Sequence, residues 1–300
     1  MISARAEPLF ESVEVELPCR CLIGVCGPAA AGKSFFLTEI LIPALSGTSK
    51  GARSIAVGDE GGKRRVVLVS PRIEARGRTV LAEVGLSAHL GNLFAATPAA
   101  VERGYPAEWF QLESPGGRCS HCEGSGFLSY DLGILEEVVV VCPRCRGSRF
   151  KSEILEVTLK GSNIADLLSA TVDQCRVHFE RDKKLRPRMD ALALGGLGHC
   201  RLGQCSATLE YGARVLLRLS VELGVARPRD FIVVTDATGL DHPDDIEILV
   251  RVADQLVANG ATIYFETNNA AILAEVDWRL EFGGRPSSGV AIIESNAPGR

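Results

Sequence analysis

Two groups of residues in this chain have types and spacings that could do chemistry. The first is the run Gly27-Pro28-Ala29-Ala30-Ala31-Gly32-Lys33-Ser34, which fits the phosphate-loop pattern G-x-x-x-x-G-K-[ST]. Glycines let the backbone fold back tightly, so successive amides point into one concave nest. A helix starting near Ser34 adds the positive end of its dipole. Lys33 is placed to reach the β- and γ-phosphates of a nucleotide, and the Ser34 hydroxyl to ligate Mg²⁺. The candidate nucleotide contacts are Gly27, Ala29, Ala30, Ala31, Gly32, Lys33, Ser34 and Phe35. Three alanines inside the loop make its backbone stiffer than a glycine- and serine-rich one.

The second group is cysteine. Cys119-x-x-Cys122 and Cys142-x-x-Cys145 are separated by nineteen residues. Paired C-x₂-C turns are structural zinc knuckles. Four thiolates close a tetrahedral site and leave no position for a catalytic water, so Zn²⁺ here would hold a small module together. Gly124, Gly126 and Gly147 permit the tight backbone each knuckle needs. His121, inside the first pair, reads as a solvated residue and not a ligand. Arg118, Arg144, Arg146, Arg149 and Lys151 surround the knuckles; they form either a face for nucleic-acid phosphate or a solvated charged surface. The other cysteines (Cys19, Cys21, Cys26, Cys175, Cys200 and Cys205) read mostly as small buried hydrophobes.

These residues need elements to position them. Cys21–Cys26 reads as a buried strand feeding the loop, preceded by alternating residues from about 10, which predicts a strand pair. A helix runs from Ser34 to about Leu45. Arg65–Ser70 is a short strand, at an edge. The pattern is helical from Thr79 to Glu102. A strand is expected over 134–141, another over 154–159 and a helix over 164–170. The run 181–188 reads as a solvated charged linker. The last third alternates: helix 213–224, strand 231–235, helix 244–259, strand 262–266, helix 270–275, strand 278–282. Asp241-His242-Pro243-Asp244-Asp245 reads as a helix start, and His199 and Cys200 as packing residues. Such alternation predicts a parallel sheet covered on both faces, an α/β fold.

The 300 residues are 46% hydrophobic and 23% charged, with net charge −4. A full core is possible, and no global basic field advertises nucleic acid. No apolar run approaches the length of a membrane span, and the N-terminus lacks a secretory core, so a cytoplasmic protein is expected. Cysteines in that compartment stay reduced.

Several stretches together resemble the UvrA family, the damage-sensing ABC ATPases of bacterial nucleotide excision repair, over roughly residues 15–295. They are Arg103-Gly104-Tyr105, Gly116-Gly117-Arg118-Cys119 with its knuckles, Arg201-Leu202-Gly203-Gln204 followed by Leu209, and the phosphate loop. The likeness is to the C-terminal half. It implies an ABC-type P-loop core interrupted by a zinc-bearing signature module. Expected boundaries are 1–95 for the first part of the core, 96–208 for the zinc module and 209–300 for the second part. It also implies ATP or ADP with Mg²⁺ at Lys33 and Ser34, Zn²⁺ at Cys119, Cys122, Cys142 and Cys145, DNA engaged through the module, and a dimer or heterodimer with an ABC-type subunit.

Three family motifs are altered. The signature Leu-Ser-Gly-Gly-Glu stands as Leu209-Glu210-Tyr211-Gly212-Ala213, which puts a negative charge and bulk where phosphate is met. Anchored on Thr238-Gly239-Leu240, Val234 takes the place of the magnesium-linked aspartate and Thr235 that of the catalytic glutamate. Asp236, the catalytic candidate, fits only with a register shift. Thr267 replaces the switch histidine. Hydrolysis is therefore expected to be slow or absent. One reading is a nucleotide-binding, DNA-binding relative of the repair ATPase. A second keeps an active ATPase by recruiting Asp236 or Glu266. The third is a non-catalytic scaffold or regulatory partner of a full-length UvrA-type or other ABC subunit.

Overall fold

The structure, a computed structural model, describes residues 2–3, 18–47, 56–57, 65–70, 78–130, 138–235, 240–283 and 291–296. The chain divides into two compact units. One comprises Met1–Arg76, Asp190–Leu197 and Leu209–Arg300; the other comprises Gly77–Met189 and Gly198–Thr208.

The first unit is built on a sheet. Strands β2 (Leu22–Cys26), β4 (Val66–Val69), β7 (Phe231–Val234), β8 (Thr262–Glu266), β9 (Trp278–Gly283) and β10 (Ala291–Asn296) lie in the order β10-β9-β2-β8-β7-β4. All neighbours are parallel except β10, which runs antiparallel to β9. The expected edge strand is β4. A separate antiparallel pair joins β1 (Ile2–Ser3) to β3 (Ala56–Val57). The strand expected over 10–17 lies outside the described residues.

Parallel strands buried on both faces read as continuous apolar runs, and strict alternation then assigns each residue to a face. Ile23 and Val25 of β2, Phe231 and Val233 of β7, and Tyr264 of β8 pack with Phe36, Leu37, Ile40 and Leu41 of the helix after the phosphate loop. Leu22, Ile232, Val234, Ile263 and Phe265 point the other way. That face is covered by α10 (Tyr211–Leu223), α11 (Pro243–Ala258) and α12 (Ala270–Ala274). Each fully buried Leu, Ile or Phe contributes about 1.5–3 kcal/mol relative to an exposed one.

The helix after the loop is a composite of α1 (Lys33–Phe35), a π-helical stretch Phe36–Leu41 and α2 (Ile42–Leu45). Pro43 has no N–H to give to the carbonyl four residues back, and its ring crowds that carbonyl. The preceding turn widens, and the Ile42 amide reaches Leu37 O instead. α11 starts as expected: His242 accepts from the Asp244 amide, Pro243 follows, and Asp244 and Asp245 sit in the first turn.

The second unit is mainly short helices: α3 (Val80–Glu83), α4 (Ser87–Ala95), α5 (Pro98–Arg103), α6 (Ser152–Leu155), α7 (Ile164–Ser169) and α8 (Val172–His178). A hairpin of β5 (Phe127–Tyr130) and β6 (Val138–Val141) joins them. Two expectations fail here. The strand expected over 154–159 is α6 and a turn. Ile154 and Val157 are buried while Glu153 and Glu156 are exposed, a spacing of three and not two. The run 181–188 is not a solvated linker throughout. Asp182 Oδ1 accepts from the Lys184 and Leu185 amides, and α9 (Leu185–Leu194) begins there with Leu185 and Met189 buried.

The Arg201–Gln204 stretch is a strut of this unit. Leu81 N–H donates to Leu202 O, and Val80 N–H to Gln204 O. Arg201 bridges to Thr171. Gly203 N–H donates to Leu168 O at 2.7 Å, and Arg149 donates to Gly203 O at 2.6 Å. A Cβ at Gly203 would lie 2.9 Å from both the Cβ and the carbonyl oxygen of Leu168. Gly203→Ala is therefore expected to destabilise this unit by about 1–3 kcal/mol, read as a lowered urea midpoint with unchanged m-value; an unaltered midpoint would contradict this packing.

Candidate functional site

The phosphate loop leaves the end of β2, at the centre of the sheet. Gly27 (φ 135°), Ala30 (φ 60°) and Gly32 (φ 88°) take left-handed backbone values, which turn the chain back on itself. Gly27 is obligatory, because a Cβ there would sit 2.3 Å from Phe282 O. Ala30 is a non-glycine residue in that region, where an L side chain costs about 1–2 kcal/mol. The end of β8 is tied to the start of the loop. Thr267 N–H donates to Val25 O at 3.1 Å, and Gly27 N–H donates to Asn268 Oδ1 at 3.0 Å.

A cleft of about 630 Å³ opens over this loop, lined by Ala29, Ala30, Lys33, Ser34, Thr235 and Glu266 among others. The volume is in the range of small-molecule sites. Lys33 Nζ stands at its mouth, donating to Gly27 O at 2.8 Å and Pro28 O at 2.7 Å. The Ser34 hydroxyl donates to the Glu266 carboxylate. Ala31 is buried in the core, and Phe35 packs against that core. Lys33 and Ser34 thus line one cleft beside the loop.

The altered motifs can now be placed. Val234 is fully buried against the α10–α12 face, away from the loop. Thr235, one residue on, faces the loop side and lines the cleft. Alternation along β7 thus turns Val234, read as standing in the place of the magnesium-linked residue, away from the cleft, and turns Thr235 toward it. Asp236 lies outside the described residues. Thr267 is buried, and its hydroxyl accepts from the Asn269 amide. Glu210 is exposed and immediately precedes α10, and the Arg214 guanidinium lies 5.7 Å from the Tyr211 ring centroid. Gly212 lies against Asp245, whose Oδ2 would be 2.6 Å from an added Cβ. Glu266, absent from the first set of candidate contacts, was visible only as an acid at a strand end.

In the second unit Cys119, Cys122, Cys142 and Cys145 bring their four sulfurs within 4.8 Å of one another. Thiolates at about 2.3 Å on a tetrahedron lie about 3.8 Å apart, and the Cys122 and Cys145 sulfurs are 3.6 Å apart. The cluster is compatible with zinc. The two knuckles have matching backbones: Glu123 and Gly124 have φ 52° and 86°, and Arg146 and Gly147 repeat those values. They are joined by Cys119 N–H to Arg149 O at 2.7 Å and Cys142 N–H to Gly126 O at 2.9 Å. The Gly126 amide also donates to Cys122 Sγ at 3.3 Å. His121 is exposed and outside the cluster.

Gly116 and Gly117 are required by Trp109, whose carbonyl oxygen would be 1.7 Å from a Cβ at Gly117. Arg144, Arg146 and Lys151 line a groove beside Cys119 and Cys145 together with Glu153. Arg149 is instead half-buried; burial lowers its pKa from the usual guanidinium value, against the pull of nearby thiols. Of the scattered cysteines, Cys26, Cys175 and Cys200 are buried, and burial pushes the Cys175 thiol up to about 11.

No protein-family model matches the chain. It is 31% identical to UvrABC system protein A of Borreliella burgdorferi over 96% of its own length and 31% of that protein's. The corresponding protein of Micrococcus luteus is 33% identical, over 95% of this chain and 29% of the relative. The crystal structure of UvrA2 from Deinococcus radiodurans superposes with a TM-score of 0.84 at 31% identity, covering 99% of this chain and 37% of that one. A dimeric ATP-binding cassette bound to ADP and Pi shares the fold alone, with a TM-score of 0.52 at 11% identity. The chain spans about a third of the length of the curated relatives it matches. A P-loop at the centre of a mainly parallel sheet, a four-cysteine module and a likeness along nearly all its residues make this chain similar to UvrA over about a third of that protein's length, with the fold of an ATP-binding cassette.

Proposed function

We propose that this chain binds ATP or ADP with Mg²⁺ at the Gly27–Ser34 loop, hydrolyses it weakly or not at all, and engages DNA through a zinc-held module. The function belongs with nucleotide excision repair, as in the relatives named above. The observation that carries the nucleotide reading is the placement of Lys33 and Ser34 at the mouth of a cleft at the sheet's centre. Binding requires the Lys33 ammonium to exchange two backbone carbonyls for phosphate oxygens, a stronger, charge-assisted pairing. Mg²⁺ would be held by Ser34 and nucleotide phosphates, and would neutralise charge on the phosphates.

Weak hydrolysis is supported by three features. Thr235 carries no charge where a carboxylate is expected. Thr267 engages its own loop. Glu210 places an anion where the signature helix would meet phosphate from a partner subunit. The DNA reading rests on Arg144, Arg146 and Lys151 beside the knuckles. A dimer with itself or another ABC-type subunit would complete the nucleotide site. Reduced thiolates for zinc suit the cytoplasm; among the described residues no helix is long and apolar enough to cross a membrane.

A second reading, a non-catalytic regulatory partner of a full-length UvrA-type subunit, is favoured by one observation. Phe127, Tyr130 and Val138–Val141 of the β5–β6 hairpin are all exposed. They are shared between the two faces of the hairpin, and exposed apolar surface of this kind marks contact sites.

Lys33→Ala is expected to weaken ATP binding by more than tenfold in calorimetry while leaving the fold intact; equal affinity would overturn the nucleotide reading. Metal analysis should return one Zn²⁺ per chain, lost in Cys142→Ser, with chelation unfolding the second unit's cysteine module; a metal-free, equally stable protein would contradict it. Duplex DNA binding should fall with salt, and Arg144→Ala should reduce the slope of log K against log salt by about 1; no binding at low salt would remove the DNA reading.

A further inference from the structure

Ser34 and Glu266 lie 232 residues apart in sequence, yet the Ser34 hydroxyl donates to Glu266 Oε1. The register explains the meeting. Phe265 pairs with Val234 across β8 and β7, and Glu266 pairs with Val25 across β8 and β2. Glu266 is therefore the last residue of β8, level with the point where β2 becomes the phosphate loop. By alternation it shares the face of Tyr264, the face on which the loop's helix packs. The two hydrogen bonds that tie Thr267 and Asn268 to Val25 and Gly27 hold it there. Glu266 is 9% exposed, and its exposed edge opens into the cleft.

In P-loop proteins the metal ion is held by the loop's Ser or Thr together with an aspartate at the end of a neighbouring strand. On β7 the residue facing the loop at that level is Thr235, which is neutral. We propose that Glu266, at the end of β8, supplies the carboxylate that Thr235 lacks and is the positioning residue for Ser34 and its Mg²⁺. This rests on the nucleotide-binding reading above and deepens it. The physics is directional. A serine hydroxyl has one proton and two lone pairs. Giving the proton to Glu266 turns the lone pairs toward the cleft, where a cation bridging to phosphate would sit. The carboxylate's negative charge also stabilises that cation, which a neutral Thr235 does not.

The test is ATP affinity of the full chain, measured by calorimetry in EDTA and in Mg²⁺. For the unaltered chain Mg²⁺ should tighten binding. Glu266→Gln should keep the EDTA affinity and lose about 10–100-fold of the Mg²⁺-dependent gain, the usual cost of removing a group that orients a metal ligand. In a Ser34→Ala background the same substitution should cost less than it does alone, because part of its effect acts through the serine hydroxyl. A Glu266→Gln protein with the full Mg²⁺ gain overturns the proposal, as do losses that are equal in EDTA or additive with Ser34→Ala. Failure of the unaltered chain to bind ATP in either buffer would instead remove the nucleotide reading itself, and the proposal with it.

Discussion

The cleft is organised by one hydrogen bond, from the Ser34 hydroxyl to the Glu266 carboxylate. It joins the helix after the phosphate loop to the end of a strand far away in sequence. It exists because β8 lies beside β2 and because two bonds from Thr267 and Asn268 fix the last residue of β8 against the loop's first turn. Sheet register is what brings Glu266 to Ser34. A one-residue slip of β8 would turn Glu266 to the opposite face and put Phe265 or Thr267, neither with a carboxylate, against the serine.

The second unit depends on a different constraint. Its β5–β6 hairpin exposes its valines, and its helices are short. Four clustered sulfurs hold two knuckles whose Glu123-Gly124 and Arg146-Gly147 turns share their φ values, and Arg149, donating to Gly203 O, ties the module to the Arg201–Gln204 strut. Two glycines of these stretches are explained by contact: Gly117 lies against the Trp109 carbonyl and Gly203 against Leu168. Gly104, with open space around it, is explained instead by its left-handed φ of 66°.

Much of this was legible from residue order. The α/β alternation of the last third, the edge position of β4 and the helix start at Pro243 followed from periodicity and capping. The loop and the cysteine quartet followed from spacing. What failed were segments in which tertiary burial overrides local pattern. Ile154 and Val157 look like strand residues but are buried three apart on a helical turn. Leu185 and Met189 begin a helix inside a run of charge. The identity of the residue facing Ser34 was also hidden, because a motif anchor at Thr238–Leu240 counts residues, whereas a strand sorts them by face. Alternation along β7 gives Thr235 to the cleft and Val234 to the core, and only the pairing of β8 with β2 brings Glu266 to the serine.

The most direct measurement is a crystal structure of the chain with Mg²⁺ and a non-hydrolysable ATP analogue. The proposed arrangement predicts triphosphate in the Gly27–Ser34 nest and Lys33 moved from the Gly27 and Pro28 carbonyls onto phosphate. It also predicts Ser34 on the metal ion with its hydroxyl proton still directed at Glu266. A triphosphate bound outside the nest, or a metal ion served by another carboxylate while Glu266 turns away from Ser34, would contradict it.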